Sequence, residues 1–510
     1  MNPTLTGEAM PAWSDLDGTP GPARGAALAP LVATATGRTL VVGPHDPALL
    51  DAVPADRLTL LVRGVPDAEA LAARYADRPG ATVTCGSLAA LTADPAYDTV
   101  IALDGLGRLS SAEGADLSWG AAFERLVGAL APGGTVLLGV ENLLGLHRLV
   151  ALPTPPTDGG WSPADEYDPT RPAGLPGVRE ALAAGGLDVT RAYAAFPSPV
   201  APTVLAGTGI LADPDLRGYL AAVLAGACAP LSGVLTDPAR LVTRALRHGA
   251  ADTLAPAWIL SARRPSAAAP SALPARSASP VSSGLPEVCA VGAAGRSDVH
   301  RAAGGGWIRR TGGDTSPVPA GPTLADVLLS RVARHEMPAV RELLRTWQDG
   351  DAADVAADGV VVGPDGGLTA LWPAGEPGAA LRAFAATLVR SGLGAAWPAA
   401  TGPELAETLA RMAGTDLGQA SGHPDSHAFD ELAAERDRLT AELAAARAKA
   451  RWYEETLSAT EGSLREARRT VELLSATGPA RLGRALVGGA RAARRSARAV
   501  RRHLRTVAAR

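Results

Sequence analysis

Apolar residues in the first third of the chain fall into short, strand-length runs separated by segments with helical spacing. The runs at 39–42, 58–62, 81–85, 97–103 and 135–140 are rich in Val, Leu and Thr, the composition of strands buried on both faces. Between them, 48–53, 68–75 and 119–130 read as helices. The last spaces Phe123, Leu126, Val127 and Leu130 three and four residues apart, as an amphipathic helix does. Alternating β and α elements predict an open α/β sheet with helices on both faces. Ligands of such sheets sit beyond the carboxyl ends of the strands. Asp104 follows one run, and Glu141 with Asn142 follows another.

The pattern then changes several times. Residues 1–24, rich in Pro, Gly and small polar residues, read as a disordered tail, and the α/β region spans 25–265. Ala, Ser and Pro dominate 266–286, the composition of a linker. A smaller accessory α+β region is expected over 287–414, with short strands near 288–291 and 307–310, a helix over 324–347 and a hairpin about Pro364-Asp365-Gly366-Gly367. Gly304, Gly305 and Gly306 precede a strand rather than a helix, so they read as a turn and not as a phosphate loop.

After a second linker at 415–428, a heptad takes over at 429–476. Leu432, Leu439, Ala446, Tyr453, Thr460, Ala467 and Leu474 mark one seam position, and Arg436, Leu443, Ala450, Leu457, Leu464 and Val471 mark the other. Such a seam predicts a coiled coil, with a homodimer as the expected product. The alternative is a single helix packed back on the body. The last segment, 477–510, reads as a basic amphipathic tail. From position 481 on it carries ten arginines and no acid, which leaves the preceding residues at −14 against −4 for the chain. Its arginines recur at three- and four-residue steps, a pattern suited to an anionic membrane surface. Nucleic acid is disfavoured because the segment has no Phe, Tyr or Trp to stack on bases.

Composition changes this picture only slightly. Aromatics make up 4% of the 510 residues, so the core must be built mainly from Ala, Leu and Val. Cys85, Cys228 and Cys289 lie too far apart for metal-ligand spacing and read as small buried hydrophobes in a reducing compartment. The amino-terminal residues lack a basic segment followed by an apolar one, and no apolar run approaches about 18 residues. A cytoplasmic protein, peripheral at the inner membrane face through its tail, is the expectation.

Several signposts resemble the class I S-adenosylmethionine-dependent methyltransferases. They are Tyr97-Asp98 opening the fourth strand, Asp104 at its end, Leu130-Ala131-Pro132-Gly133-Gly134 before the fifth, and the apolar segments around 189–196 and 204–205. Glu141-Asn142-Leu143-Leu144-Gly145-Leu146 and Phe196-Pro197-Ser198-Pro199 look like a bacterial subgroup associated with surface-polysaccharide and glycosyltransferase systems. The resemblance covers roughly 25–265 and implies a Rossmann-like methyltransferase sheet, S-adenosylmethionine as cofactor, and a carbohydrate or glycoconjugate acceptor.

The cofactor motifs depart from that pattern. Where the family has an acidic residue and a Gly-rich loop, this chain has Val41, then Gly43 with His45 and Pro47. Where the family has an acid for the ribose hydroxyls stands Arg63, which cannot accept those hydrogen bonds. The usual Gly-Asp after the third strand is Gly86-Ser87. Two readings therefore stay open. In one, a divergent methyltransferase holds its cofactor through Gly43, Asp46, Gly86, Ser87 and Asp104. In the other, the fold has lost its cofactor and is a non-catalytic scaffold working through its coiled coil and basic tail. A hydroxyl acceptor would need a base, with His45, Asp104, Glu141 and His147 as candidates and none singled out. The hairpin at 359–372 faintly resembles the aminoglycoside-phosphotransferase-like kinases. Gly359, Leu371 and Trp372 stand where their Asn and metal-binding Asp would be, and no lysine lies upstream, so phosphoryl transfer is rejected.

Overall fold

A computed structural model describes residues 2–475 except 19, 92–95, 115, 152–166, 232–235, 267–283, 293–294, 398–400 and 418–426, together with 489–490, 492–494 and 496–497. Residues 1–422 and 423–510 are two compact units.

The first unit is built on one large sheet. Its strands are β1 (Thr4–Leu5), β2 (Arg38–Val42), β3 (Arg57–Val62), β4 (Ala81–Cys85), β5 (Tyr97–Ala102), β6 (Leu130–Glu141), β7 (Asp188–Phe196), β8 (Val204–Gly207), β9 (Ala257–Arg263), β10 (Val288–Gly292), β11 (Gly295–Arg301), β12 (Trp307–Thr311) and β13 (Asp314–Pro317). They are ordered β1-β4-β3-β2-β5-β6-β9-β7-β8-β10-β11-β12-β13. The pairs from β1 to β6 are parallel, and those from β6 through β9 and β7 onward are antiparallel. Strand order reverses between β2 and β5, the switch point at which open α/β sheets bind ligands.

Alternate residues of the central strands feed two cores. Leu40, Val42, Val100, Ala102, Val136 and Leu138 pack on one face, whereas Val41, Leu60, Ile101 and Leu137 pack on the other. Both faces are covered, as a parallel sheet requires. This is the α/β Rossmann-like fold that the run pattern predicts. The helix Trp119–Gly128 starts where the Ser118 hydroxyl accepts from the Ala121 N–H at 3.2 Å, and its Trp119 and Phe123 rings stack at 5.3 Å. The Ala131-Pro132-Gly133-Gly134 stretch, expected to precede the strand, lies within β6, whose register shifts between Tyr97↔Leu130 and Thr99↔Thr135.

Three expectations need correction. The segment assigned as a disordered tail is ordered over its described residues. Thr4 and Leu5 pair with Thr84 and Cys85, Met10 bridges to Gly64, and Ala23 bridges to His45. Its composition misled because its stability comes from contacts made far along the chain, which local composition does not report. The boundary at 287 also shifts. Strands β10–β13 continue the first sheet, with Val288 paired to Ala206 of β8, and Val299 and Trp307 join its core. What remains of 287–414 is a helical layer of Leu324–Ala333, Met337–Gln348, Ala379–Arg390 and Gly402–Ala413 with the hairpin β14 (Val360–Val362) and β15 (Leu368–Ala370). Leu328, Leu344, Trp347, Phe384 and Leu409 centre its own core. The helix expected over 324–347 is two helices, broken near His335, which adopts φ 58°.

In the second unit, one helix runs His427–Ser475. The first linker falls mostly, and the Arg-rich tail largely, outside the described residues. No described helix is long and apolar enough to cross a membrane.

Because β10–β13 cap the β8 edge, a chain ending at 286 is expected to expose Val204 and Leu205 and aggregate, whereas one ending at 417 should unfold in a single cooperative urea transition. Size-exclusion chromatography and urea titration of the two forms check this.

Candidate functional site

The carboxyl ends of β2, β3, β4 and β5 form the crevice, and the amino-terminal segment lies across it. At the tip of β2, Gly43 adopts φ 83° and donates its N–H to the Leu61 carbonyl at 2.9 Å. The chain then turns so that His45 is buried, with Nδ1 3.1 Å from the Gly43 carbonyl and Nε2 accepting from the Leu103 N–H at 3.2 Å. The second bond makes Nε2 the acceptor, so Nδ1 carries the proton and donates to Gly43. Burial lowers the His45 pKa to about 4; the Gly43 carbonyl opposes the shift and the Arg108 charge adds to it. His45 is therefore a neutral brace between β2 and β5, neither a solvent-facing loop residue nor an available base. Asp46 caps the helix Pro47–Asp51 by accepting from the Ala48 N–H at 2.8 Å.

At the tip of β3, Arg63 is 2% exposed and makes a two-pronged ion pair with Asp15. Its Nε donates to Oδ2 at 2.7 Å and its Nη2 to Oδ1 at 2.8 Å, while Nη1 donates to the Ser110 carbonyl at 3.0 Å. The Trp13 ring lies 5.4 Å from the guanidinium, a cation–π distance. The same turn of the segment is held from beneath by Asp67, at the start of the helix Val65–Arg74. Asp67 accepts from the Ser14 hydroxyl at 2.6 Å and from the Asp15 and Leu16 N–H groups at 2.7 and 3.3 Å. Burial raises the Asp67 pKa, against the pull of those donors.

At the tip of β4, Ser87 caps a short helical turn by accepting from the Ala89 N–H, and its hydroxyl donates to Glu8. A Cβ on Gly86 would lie 2.4 Å from the Thr6 hydroxyl and 2.7 Å from the Gly7 carbonyl. This glycine admits the chain's own backbone. Beyond β5, Asp104 is held by Arg108, whose Nε donates to Oδ2 at 2.7 Å and whose Nη2 reaches Oδ1. Burial pushes the Asp104 pKa up to about 6 despite that partner. Arg108 also donates to the Pro20 and Gly21 carbonyls at 2.8 Å each, tying the segment down a second time.

Five residues were expected around a cofactor: Gly43, Asp46, Gly86, Ser87 and Asp104. They do line one rim of the sheet, but their polar groups face the protein itself. Asp46 and Ser87 cap helical turns, Gly86 meets the backbone at Thr6 and Gly7, and Asp104 is engaged by Arg108. Asp15, Asp67 and Arg108 were missed. The signal that points to Asp15 is Arg63 itself, since a guanidinium at a buried strand end needs an anionic partner.

A cavity of about 380 Å³ remains beside the segment, lined among others by Asp104, Arg108, Trp119, Glu141, His147 and Arg171. Glu141 accepts from His147 at 3.0 Å and from Arg148 at 2.9 Å. Burial alone would raise its pKa, but these two partners bring it down to about 2. Asn142 is structural, donating to the Thr253 and Ala255 carbonyls at 2.7 and 2.9 Å. Among the described residues no group of His, Cys, Asp and Glu is arranged to hold a metal ion.

No family model and no curated protein matches the chain. Solved structures with similar folds include the [4+2]-cyclase SpnF, 20% identical, covering 47% of this chain and 80% of that one at a TM-score of 0.26. A complex of the Haloferax volcanii Trm112 methyltransferase activator with a putative methyltransferase is 18% identical, covering 47% and 89%, with a TM-score of 0.28. An S-adenosylmethionine-dependent methyltransferase from Mesorhizobium loti is 15% identical, covering 47% and 99%, with a TM-score of 0.25. At these scores the likenesses carry no argument; the fold assignment rests on strand order and pairing.

The residues present do not fit S-adenosylmethionine. The ribose-acid position is a guanidinium already paired with Asp15, and the adenine-side rim is taken by Thr6, Gly7 and Glu8.

Two predictions follow from the site. Asp15→Ala removes the carboxylate partner of a buried guanidinium and should cost about 3–5 kcal/mol, whereas adding Arg63→Leu to it should restore much of that loss; urea denaturation measures both. The second concerns pH. His45 binds fewer protons folded than unfolded, so its contribution is present above about pH 6.5 and is lost as pH falls towards 4. Asp104 is opposite, being raised from 3.8 to about 6, so its contribution is present below about pH 4 and is lost as pH rises through 6. The two largely offset each other. His45→Gln should therefore show stability that increases as pH drops from 6.5 to 4, where the unaltered protein is flatter, as read by denaturation at several pH values.

Proposed function

We propose that this α/β body is a methyltransferase-type fold that does not bind S-adenosylmethionine and acts as a non-catalytic scaffold. The observation that carries this reading is the buried Arg63–Asp15 pair, with Asp67 beneath it, which seats the chain's own amino-terminal segment over the ends of β3 and β4. A nucleoside entering there would have to break that pair and strip Glu8 from Ser87. Breaking a buried pair without replacing a partner costs several kcal/mol, and the described acids at that rim, Glu8, Asp15 and Asp67, are already engaged within the chain.

The divergent-enzyme reading, with a carbohydrate acceptor, draws on the retained cavity near Asp104, Glu141 and His147. Three of its four candidate bases do not favour it. A general base works best with a pKa near the operating pH. Glu141 at about 2 and His45 at about 4 are far from it, and both oxygens of Asp104 are engaged by Arg108. As a scaffold, the protein would act through its carboxyl-terminal helix and through the ten arginines beyond position 480, a charge suited to an anionic lipid surface.

Calorimetric titration of the full chain with S-adenosylmethionine up to millimolar concentration is expected to give no saturable heat. A saturable isotherm with one site per chain overturns the reading.

A further inference from the structure

The helix His427–Ser475 spans 49 residues, about 74 Å at the α-helical rise. Over its described side chains it carries a continuous exposed stripe. Leu443, Ala450, Leu457, Leu464 and Val471 alternate with Ala446, Tyr453, Thr460 and Ala467 at steps of three and four. Leu443 is 50% exposed, Tyr453 51%, Leu457 63%, Leu464 50% and Val471 64%. An apolar stripe with that period is a seam awaiting a second helix.

The flanking charges say which helix. With Leu443, Ala450, Leu457 and Leu464 as position a of the heptad, Arg447, Glu454, Glu461 and Arg468 stand at e, and Lys449 stands at g; by sequence Glu442 is the preceding g residue. In a parallel, in-register pair each g faces the e of the next heptad on the partner helix. That sets Glu442 against Arg447 and Lys449 against Glu454, opposite charges both times. In the antiparallel alignment that overlaps this segment fully, e faces e. Arg447 then meets Arg468, and Glu454 meets Glu461, like charges both times.

We infer that this helix pairs with the same helix of a second copy, in parallel and in register, through the seam from Leu443 to Val471. The small residues Ala446, Ala450 and Ala467 permit close approach of the two backbones, and Leu457 and Leu464 supply the bulk of the buried surface. Thr460 and the hydroxyl of Tyr453 are the polar groups of this stretch of seam. The inference does not depend on whether the crevice of the first unit holds a cofactor.

Sedimentation of the full chain at micromolar concentration is expected to give a dimer. Leu457→Glu with Leu464→Glu should give a monomer whose near-ultraviolet dichroism retains the signature of the packed α/β body. Lys449→Glu alone should weaken the dimer by roughly tenfold, and Glu454→Lys added to it should recover that loss. Orientation is read from Leu443→Cys and Val471→Cys tested separately under mild oxidation. Parallel, in-register helices cross-link efficiently at both positions, whereas an antiparallel pair cannot self-link at two sites four heptads apart. A monomeric full chain overturns the inference, as does cross-linking at neither site or at one alone.

Discussion

A guanidinium out of water needs a counter-charge, and in this protein Arg63 finds it 48 residues earlier in the chain, at Asp15. The pair is nearly dry on both sides, with side-chain exposures of 1% and 6%. Such a pair adds little net stability compared with an apolar replacement, but it is costly to break from one side. It therefore acts less as glue than as a rule about position. Wherever the tip of β3 goes, residues 13–16 must follow, and Asp67 turns the same stretch by accepting two of its N–H groups.

The rest of the rim is arranged consistently with that rule. Thr4 and Leu5 add a strand to β4, Glu8 takes Ser87, and Ala23 bridges to His45. Arg108 grips Pro20 and Gly21 while neutralising Asp104. Three departures from the pattern that the sequence resembles match a contact within the chain. His45 in place of a loop glycine fills its own turn, Arg63 in place of an acid captures Asp15, and Ser87 in place of Asp captures Glu8. The Arg63 and Ser87 side chains hold the amino-terminal segment, and the His45 backbone bridges to it at Ala23.

The central fold was legible because parallel strands buried on both faces leave a strong sequence mark. Val41 and Leu40 serve opposite cores, so the run they belong to cannot be mistaken for a surface strand. The crevice was legible only as a set of anomalies, His45, Pro47, Arg63 and Ser87, and the partners of two of them, Asp15 for Arg63 and Glu8 for Ser87, lie in a segment that local composition marks as disordered. Pro, Gly and Ser are as suited to a strap lying flat on a surface as to a free tail, and only long-range ion pairs distinguish the two. The membership of β10–β13 was hidden for a related reason: an Ala-, Ser- and Pro-rich stretch before them looks like a domain boundary, yet short antiparallel strands join whichever edge is open, here β8. Helical spacing in 324–347 showed the apolar face but not the break at His335, which a left-handed residue provides without glycine.

The claim that the amino-terminal segment is an integral part of the crevice is tested most directly by native-state hydrogen exchange at the Asp15 and Leu16 amides, both bonded to Asp67. Those amides should exchange only through openings nearly as rare as those of the β3 core, and their rates should be unchanged by millimolar S-adenosylmethionine. Fast exchange at both amides while β3 stays protected, or rates that shift when the nucleoside is added, would contradict the account.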